Sequence, residues 1–386
     1  MNLKFKYIAI KTSRILINIF HLVPIDHNKI VYISFGGKQK SCNPLYISKA
    51  IEQLYPDKYK QIWVKDKLTT QEFDDVDVCI HGTLAFIKHM MTAGCIVTND
   101  TLPSYLNFSD GQLVINTWHG GGLFKQTFGL CSDNELKYNN AIQRIHNNDI
   151  KLYTLSGKSW HDNVVVRRFG YTGETLKSGM PRNDIFFLDR IKIIEKVKKH
   201  FSIPEDKKIV LYAPTFRGNP NHAVNGFEEM ELIDIPRLTS NLKNKFGHSY
   251  AFIFRGHHLM TKGLKGSLNA SNYPDMQELL AAADVFISDY SSCLWDYSLT
   301  KRPCFIFAPD FIEYSHNPGF ESDYHKWPFS ISKSNDELER MIIAFNEEDY
   351  SLKCDQYHAD YGSYEDGNAS RRIAEYINDK LSCHND

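Results

Sequence analysis

Short apolar runs alternate with longer mixed stretches along the chain. Lys29-Ile-Val-Tyr-Ile-Ser-Phe35 reads as a buried strand, a helix is expected from about Asn43 to Tyr55, and Gln61-Ile-Trp-Val64 reads as the next strand. Gly94-Cys-Ile-Val-Thr-Asn99, residues 112–118 and Lys151-Leu-Tyr-Thr-Leu155 continue the series. The polar, aromatic segment 123–147 is expected to be a loop with helical pieces. A second series begins near residue 207, with strand-then-loop patterns at 208–217, 250–258, 284–292 and 303–310, and an amphipathic helix is expected from Ala369 to Leu381. Strand–helix alternation implies parallel sheets covered by helices. The polar residues cluster where the strands end, which is where open α/β sheets bind ligands.

Two such series suggest two Rossmann-like halves facing a cleft, the plan of GT-B transferases. The linker is expected within 171–206, around Met180-Pro-Arg-Asn-Asp184. The expected division is 1–27 as an amphipathic membrane-associating helix, 28–175 as the first half and 176–386 as the second. In the N-terminal stretch, positions 4, 7, 11, 14, 18 and 21 are Lys, Tyr, Lys, Arg, Asn and His, a polar stripe at helical spacing. The other arc carries Phe5, Ile8, Ile15, Leu16, Ile19, Phe20 and Val23. The charges interrupt any span long enough to cross a bilayer. No acid precedes Asp26, so a basic helix lying on an anionic leaflet is favoured over one packed on the protein's own core.

Composition narrows the class. With 42% hydrophobic residues the chain is globular, and 45 basic against 46 acidic side chains leave no global case for nucleic-acid binding. Eight scattered cysteines, without a C-x-x-C or a visible signal peptide, fit a reduced compartment. Asp74-Asp-Val-Asp77 has the look of a metal cluster, but without other ligand types it reads as a solvated turn.

The candidate chemistry lies at strand ends. Trp118-His119 is followed by Gly120, Gly121, Gly122 and Leu123, so an imidazole meets a turn whose backbone can approach a ligand closely. A core histidine and a lipase oxyanion loop are the competing readings; no Gly-x-Ser-x-Gly supplies the nucleophile the second needs. Gly157-Lys-Ser159 lacks the first glycine of a phosphate-binding P-loop. Asp289-Tyr-Ser-Ser292 enters a helix, which suits an anion at the N-terminus, or plain capping by Ser291 or Ser292. Asp296 follows one turn later. Arg255-Gly-His-His258 offers a phosphate-binding guanidinium and an imidazole. Pro214, Thr215, Arg217 and Arg182 add further donors and turns.

Taken in order, these segments resemble a known family. Thr117-Trp-His-Gly120, Gly179-Met-Pro-Arg-Asn-Asp184, Tyr212-Ala-Pro-Thr-Phe-Arg217, Arg255-Gly-His257, Ser288-Asp-Tyr-Ser-Ser-Cys-Leu-Trp-Asp-Tyr297 with Lys301-Arg-Pro303, and Phe307-Ala-Pro-Asp310 resemble the CDP-glycerol glycerophosphotransferases of teichoic acid and capsule synthesis, the TagB/TagF-like proteins. The resemblance runs over roughly residues 28–345. It implies a GT-B fold with an acceptor half and a CDP-alcohol donor half. It also implies peripheral attachment to the cytoplasmic face of the membrane and transfer of glycerol phosphate to a lipid-linked acceptor, with CMP leaving. It carries donor-site positions onto His119, Gly120, Gly121, Gly122, Leu123, Arg182, Pro214, Thr215, Arg255, His257, Ser291, Ser292 and Asp296, and a mechanism with His119 and His257 as the catalytic residues follows as a hypothesis.

On this reading His119 is the general base, and His257, Arg255 and the Ser291/Ser292 turn stabilise the pyrophosphate, with the two histidines' roles open to exchange. No metal site is expected, and a divalent cation is left open as cofactor. The family often has His-Gly-Thr-Pro-Leu where this chain has His-Gly-Gly-Gly-Leu, and Lys326-Trp-Pro follows Gly319-Phe-Glu-Ser-Asp-Tyr324 in place of the usual Pro-Gly-Pro. CDP-ribitol is therefore the alternative donor. A GT-B glycosyltransferase using a nucleotide sugar, and a non-enzymatic membrane scaffold, are the competing classes.

Overall fold

The computed structural model describes residues 3–124, 133–215, 233–256, 264–316 and 319–383. Thirteen described strands form two sheets, and every pairing between them is parallel. The first sheet takes β1 (Asp26–Ile33), β2 (Lys60–Lys65), β3 (Asp77–Ile80), β4 (Ala93–Thr98), β5 (Leu113–Asn116), β6 (Leu152–Leu155) and β7 (Glu174–Lys177), in the order β3-β2-β1-β4-β5-β6-β7. The second takes β8 (Lys208–Tyr212), β9 (Tyr250–Phe254), β10 (Leu268–Asn269), β11 (Val285–Ser288), β12 (Cys304–Phe307) and β13 (Ser330–Ser332), in the order β10-β9-β8-β11-β12-β13.

Each sheet grows outward in one direction, then restarts beside its first strand. The reversal falls between β1 and β4 in the first sheet and between β8 and β11 in the second. Such a reversal opens a crevice at the carboxyl ends of the two central strands. The central strands are those the apolar runs marked. The edge strands β3, β7, β10 and β13 were not, because partial exposure removes the apolar run. The expected solvated turn at Asp74–Asp77 gives way at Asp77 to β3. In the segment expected to be a loop, residues 125–132 lie outside the described residues and Asp133–Asp149 is one helix.

The chain forms two compact units that do not divide at 175/176. One holds the residues up to His119, those ending at Asp184, and Gly362 onward; the other holds Ile185–Tyr361 and the short segment that starts at Gly120. The physical reason is the core of the first unit. Ile373, Ala374, Ile377 and Leu381, on the helix Ala369–Ser382, are fully buried against Ile30, Tyr32, Trp63, Cys95 and Val97 of β1, β2 and β4. Asp184 fixes the start of that helix, accepting from the backbone N–H groups of Ala369 (2.9 Å) and Ser370 (2.7 Å). The second unit has its own core, built on Val210, Phe252, Phe254, Ile287, Phe305 and Phe307.

The N-terminal helix, Leu3–Ile17, buries Ile10 and Ile17 and turns Arg14 of its polar stripe inward, while Lys4 and Lys11 stay exposed. Arg14 pairs bidentately with the carboxylate of Asp149 (2.7 and 2.8 Å) and also donates to Asn107 and the Leu106 carbonyl. Asn18 and His21 bond the same Asn107. The apolar arc is left largely outside, with Ile15 and Leu16 each 70% exposed and Phe5 67%. No helix among the described residues is long and apolar enough to cross a membrane.

Two interior histidines make the fold sensitive to acid. His146 bonds Ser104, and His358 bonds Ser298 beside Trp295. Burial pulls both from 6.5 down to about 4. Because the folded values are depressed, the unfolded chain binds more protons between these limits, and stability is lost as pH falls from about 6.5 toward 4. At pH 5 each histidine is expected to cost its unit about 2 kcal/mol. Urea midpoints at pH 7.5 and 5 check this: His358→Gln should shrink the difference, and an unchanged difference would count against it.

Candidate functional site

In the first unit the site forms where the sheet reverses. β1 is followed by Ser34-Phe35 and β4 by Asn99, and the chain leaving the neighbouring strand β5 carries Trp118-His119. Thr117 is drawn to β4 by its N–H bond to the Thr98 carbonyl (2.8 Å). Trp118 then takes a left-handed backbone (φ 51°), which a bulky residue adopts only when its surroundings impose it. Its N–H donates to Asn116 Oδ1 (2.8 Å), and its carbonyl accepts from Asn43 Nδ2 (2.9 Å). The kink turns the imidazole of His119 back over the strand ends.

There the ring lies between Trp118 (centroids 4.6 Å apart) and Phe35 (5.3 Å). Nδ1 sits 2.7 Å from the carbonyl oxygen of Asn99. Since that oxygen can only accept, Nδ1 carries the proton in the neutral ring and Nε2 is left as a base. Burial pushes the His119 pKa below the ordinary histidine value. The Asn99 carbonyl and Asp100 act against that shift, and the Arg182 cation adds to it. The net effect is a neutral imidazole at physiological pH.

Arg182 belongs to the same group. It is buried, its Nη1 donates to the His119 carbonyl (2.6 Å) and lies 3.2 Å from Cys42 Sγ, and its N–H donates to Asn43 Oδ1 (3.1 Å). Asn43 therefore ties the Trp118 kink to the Arg182 turn. The sequence gives Asn43-Pro44 only as part of the family resemblance and assigns Asn99 no role; each is a buried amide, at the start of a helix and just past an apolar strand respectively.

Gly120, Gly121, Gly122 and Leu123 belong to the second unit. Tyr361 Oη donates to the Gly121 carbonyl, Ser322 Oγ to the Leu123 carbonyl, and the Glu321 N–H to the Phe124 carbonyl (3.0 Å). A Cβ on Gly122 would stand 2.8 Å from the Cβ of fully buried Trp295. That Cβ is fixed to its helix, so the third glycine is required by close packing.

The remaining candidates gather at the ends of β8, β9, β11 and β12. Asp289, after β11, accepts from the Thr215 N–H (2.8 Å) and hydroxyl (3.0 Å) through one oxygen and from the Tyr290 N–H (2.6 Å) through the other. Pro214 and Thr215 are thus pinned across the reversal of the second sheet. Tyr290, fully buried and stacked on Tyr314 (3.9 Å), donates to Asp310 (2.9 Å) at the end of β12. Asp289 and Asp310 organise these loops, although in the sequence they stand out only as members of family-like motifs.

Ser291 Oγ accepts from the Cys293 N–H (3.2 Å), so its hydroxyl caps the short helix Cys293–Ser298; Ser292 makes no capping bond. Asp296 is fully buried, and its Oδ2 accepts from Gln277 Nε2 (3.2 Å), which places it in the interior of the unit. Arg255 is half-buried, with Nη1 donating to the Tyr273 carbonyl (2.7 Å). His257 lies outside the described residues, as do His258, Lys125 and Arg217. Among the described residues no group of three or more His, Cys, Asp or Glu side chains is placed to hold a metal ion.

Known proteins resemble this chain over nearly its whole length. The chain is 28% identical over 395 residues to the teichoic acid poly(glycerol phosphate) polymerase of Bacillus spizizenii, covering 97% of this chain and 98% of that one. It is 27% identical to the teichoic acid glycerol-phosphate transferase of Staphylococcus aureus, covering 91% and 93%. It spans 51% of the poly(glycerol phosphate) polymerase of Bacillus subtilis. The wall teichoic acid polymerase TagF has the same fold, with a TM-score of 0.80 at 24% identity over 99% of this chain and 97% of that one. The family model for CDP-glycerol:poly(glycerophosphate) glycerophosphotransferase matches residues 15–379. The chain belongs to the CDP-glycerol:poly(glycerophosphate) glycerophosphotransferase family.

Proposed function

We propose that this protein transfers glycerol phosphate from CDP-glycerol to a hydroxyl of a lipid-linked glycan or polyol-phosphate acceptor, releasing CMP. The observation that carries the reading is His119: a buried, neutral imidazole with Nδ1 committed to a carbonyl and Nε2 left to accept a proton. In the reaction, Nε2 takes the proton of the acceptor hydroxyl as its oxygen bonds the glycerol-bearing phosphorus. The bond from that phosphorus to the bridging oxygen breaks, and CMP leaves with the electron pair. We assign Arg255, Thr215, Ser291 and Ser292, with His257, to the pyrophosphate, where fixed donors offset the charge that develops. Arg182 positions the His119 peptide, and the Gly120–Leu123 backbone contributes N–H donors.

Purified protein given a synthetic lipid acceptor with CDP-glycerol, CDP-ribitol or UDP-sugars tests the reading, with CMP and UDP release and the product mass as readouts. CMP release with a product gain of one or more glycerol phosphates is expected. UDP release from a sugar donor, or turnover of CDP-ribitol alone, would sink the reading.

The exposed apolar arc of the N-terminal helix, flanked by Lys4, Lys6 and Lys11, supports peripheral attachment to an anionic membrane surface. Deleting residues 1–23 is expected to move the protein from the membrane pellet to the supernatant; continued sedimentation with membranes would refute this.

A further inference from the structure

Asn99 has an unusual set of bonds for a residue at the end of a buried strand. It is completely buried. Its carbonyl holds Nδ1 of His119, 2.7 Å away. Its side-chain amide does separate work: Oδ1 accepts from the Phe35 N–H (2.8 Å), and Nδ2 donates to Ser34 Oγ (3.2 Å). Ser34 in turn donates to the Ser41 carbonyl (3.0 Å). Phe35 has a left-handed backbone (φ 48°) and places its ring against the imidazole. One residue therefore fixes both the nitrogen that is protonated and the aromatic wall that limits ring rotation.

Strand geometry explains why this works. β1 and β4 are paired in register up to Ile33 and Thr98. Asn99 and Ser34 are the next residue on each strand, and the chain must diverge there because the sheet reverses. The amide of Asn99 replaces the ladder bonds that end at that point. It thereby fixes the direction in which its own carbonyl points.

We infer that Asn99 is a positioning residue for the reaction, holding His119 in the tautomer with the proton on Nδ1 and so presenting Nε2 to the acceptor hydroxyl. The inference rests on His119 being the base. A ring free to exchange tautomers would spend part of its time with Nε2 protonated and unable to accept.

The test uses the full chain labelled with 15N-histidine. The His119 signals are identified by their loss in His119→Gln. In the wild type, Nδ1 should show the shift of a protonated nitrogen and Nε2 that of an unprotonated one. In Asn99→Ala the two signals should move toward averaged values. The kcat of Asn99→Ala should fall about tenfold or more with KM for CDP-glycerol within about twofold, and the acid limb of its pH–rate profile should move.

Asn99→Asp keeps the acceptor for Phe35 and adds negative charge near the ring. It should recover part of the rate and shift the acid limb to higher pH. A wild-type Nε2–H tautomer overturns the inference even if Asn99→Ala does not fold. So does an Asn99→Ala enzyme with wild-type kcat, tautomer and pH profile. If His119→Gln itself keeps the rate, the assignment of the base fails instead.

Discussion

Replacing His119 by alanine is expected to lower CMP release by about 10²- to 10⁴-fold while CDP-glycerol still binds. The substitution removes the proton acceptor from the first unit, whereas Thr215, Asp289 and Ser291 of the second unit are held by bonds within that unit. Stability should fall modestly, since the ring contacts with Trp118 and Phe35 and the bond to Asn99 are lost. Turnover with a soluble acceptor analogue, read beside calorimetric donor binding, separates the two effects.

The sign of the pH dependence is fixed by the same ring. Protonated His119 cannot act as a base, so the rate falls as pH drops through its folded pKa. That pKa is held below the ordinary histidine value by burial, so the enzyme should stay active to lower pH than a solvent-exposed imidazole would allow. A kcat for His119→Ala within about threefold of wild type would remove His119 from the chemistry.

The second large effect concerns the C-terminal segment. Ending the chain after Tyr361 removes Ile373, Ile377 and Leu381 from the first core. Burial of each of these side chains is worth about 1.5–3 kcal/mol, and the sum approaches the whole stability of an ordinary domain. Removal also uncovers the faces of β1 and β4 and takes away the partners of Asp184. The shortened protein is expected to collect in the insoluble fraction, or to lose cooperative unfolding if recovered. A soluble protein with the full-length melting temperature would show that the helix is dispensable. Ile377→Asp asks the same question with one residue, since it places an unpaired charge at a fully buried position.

The sequence displayed what depends on uninterrupted burial. Val31, Ile96, Val210 and Ile287 lie in apolar runs because parallel strands are covered on both faces, and these runs marked the centre of each sheet. The candidate residues were legible for a related reason: polar groups such as His119, Thr215 and Ser291 directly follow such runs. The edge strands left little trace; three of the four residues of β3 are exposed.

Contacts that depend on distant chain segments left no trace either. Nothing local to residues 369–382 says that their apolar face covers a sheet begun at Asp26. Nothing in Asn99 announces that its carbonyl will meet a histidine twenty residues on. Ser291 shows the limit of local reading in the other direction: capping and anion binding ask for the same residue, and its hydroxyl is found on the Cys293 N–H.

The late return of the chain to its first unit has a consequence for biosynthesis. Strands β1 to β7 leave the ribosome well before the helix Ala369–Ser382 that shields Ile30, Tyr32 and Trp63. At typical elongation rates of about 5–20 residues per second, the roughly 190 residues between β7 and that helix take on the order of ten seconds or more to make. For that interval the nascent sheet carries an uncovered greasy face. Expression should therefore benefit more from added chaperone or slower initiation than from any change at His119 or the loops after β8 and β11.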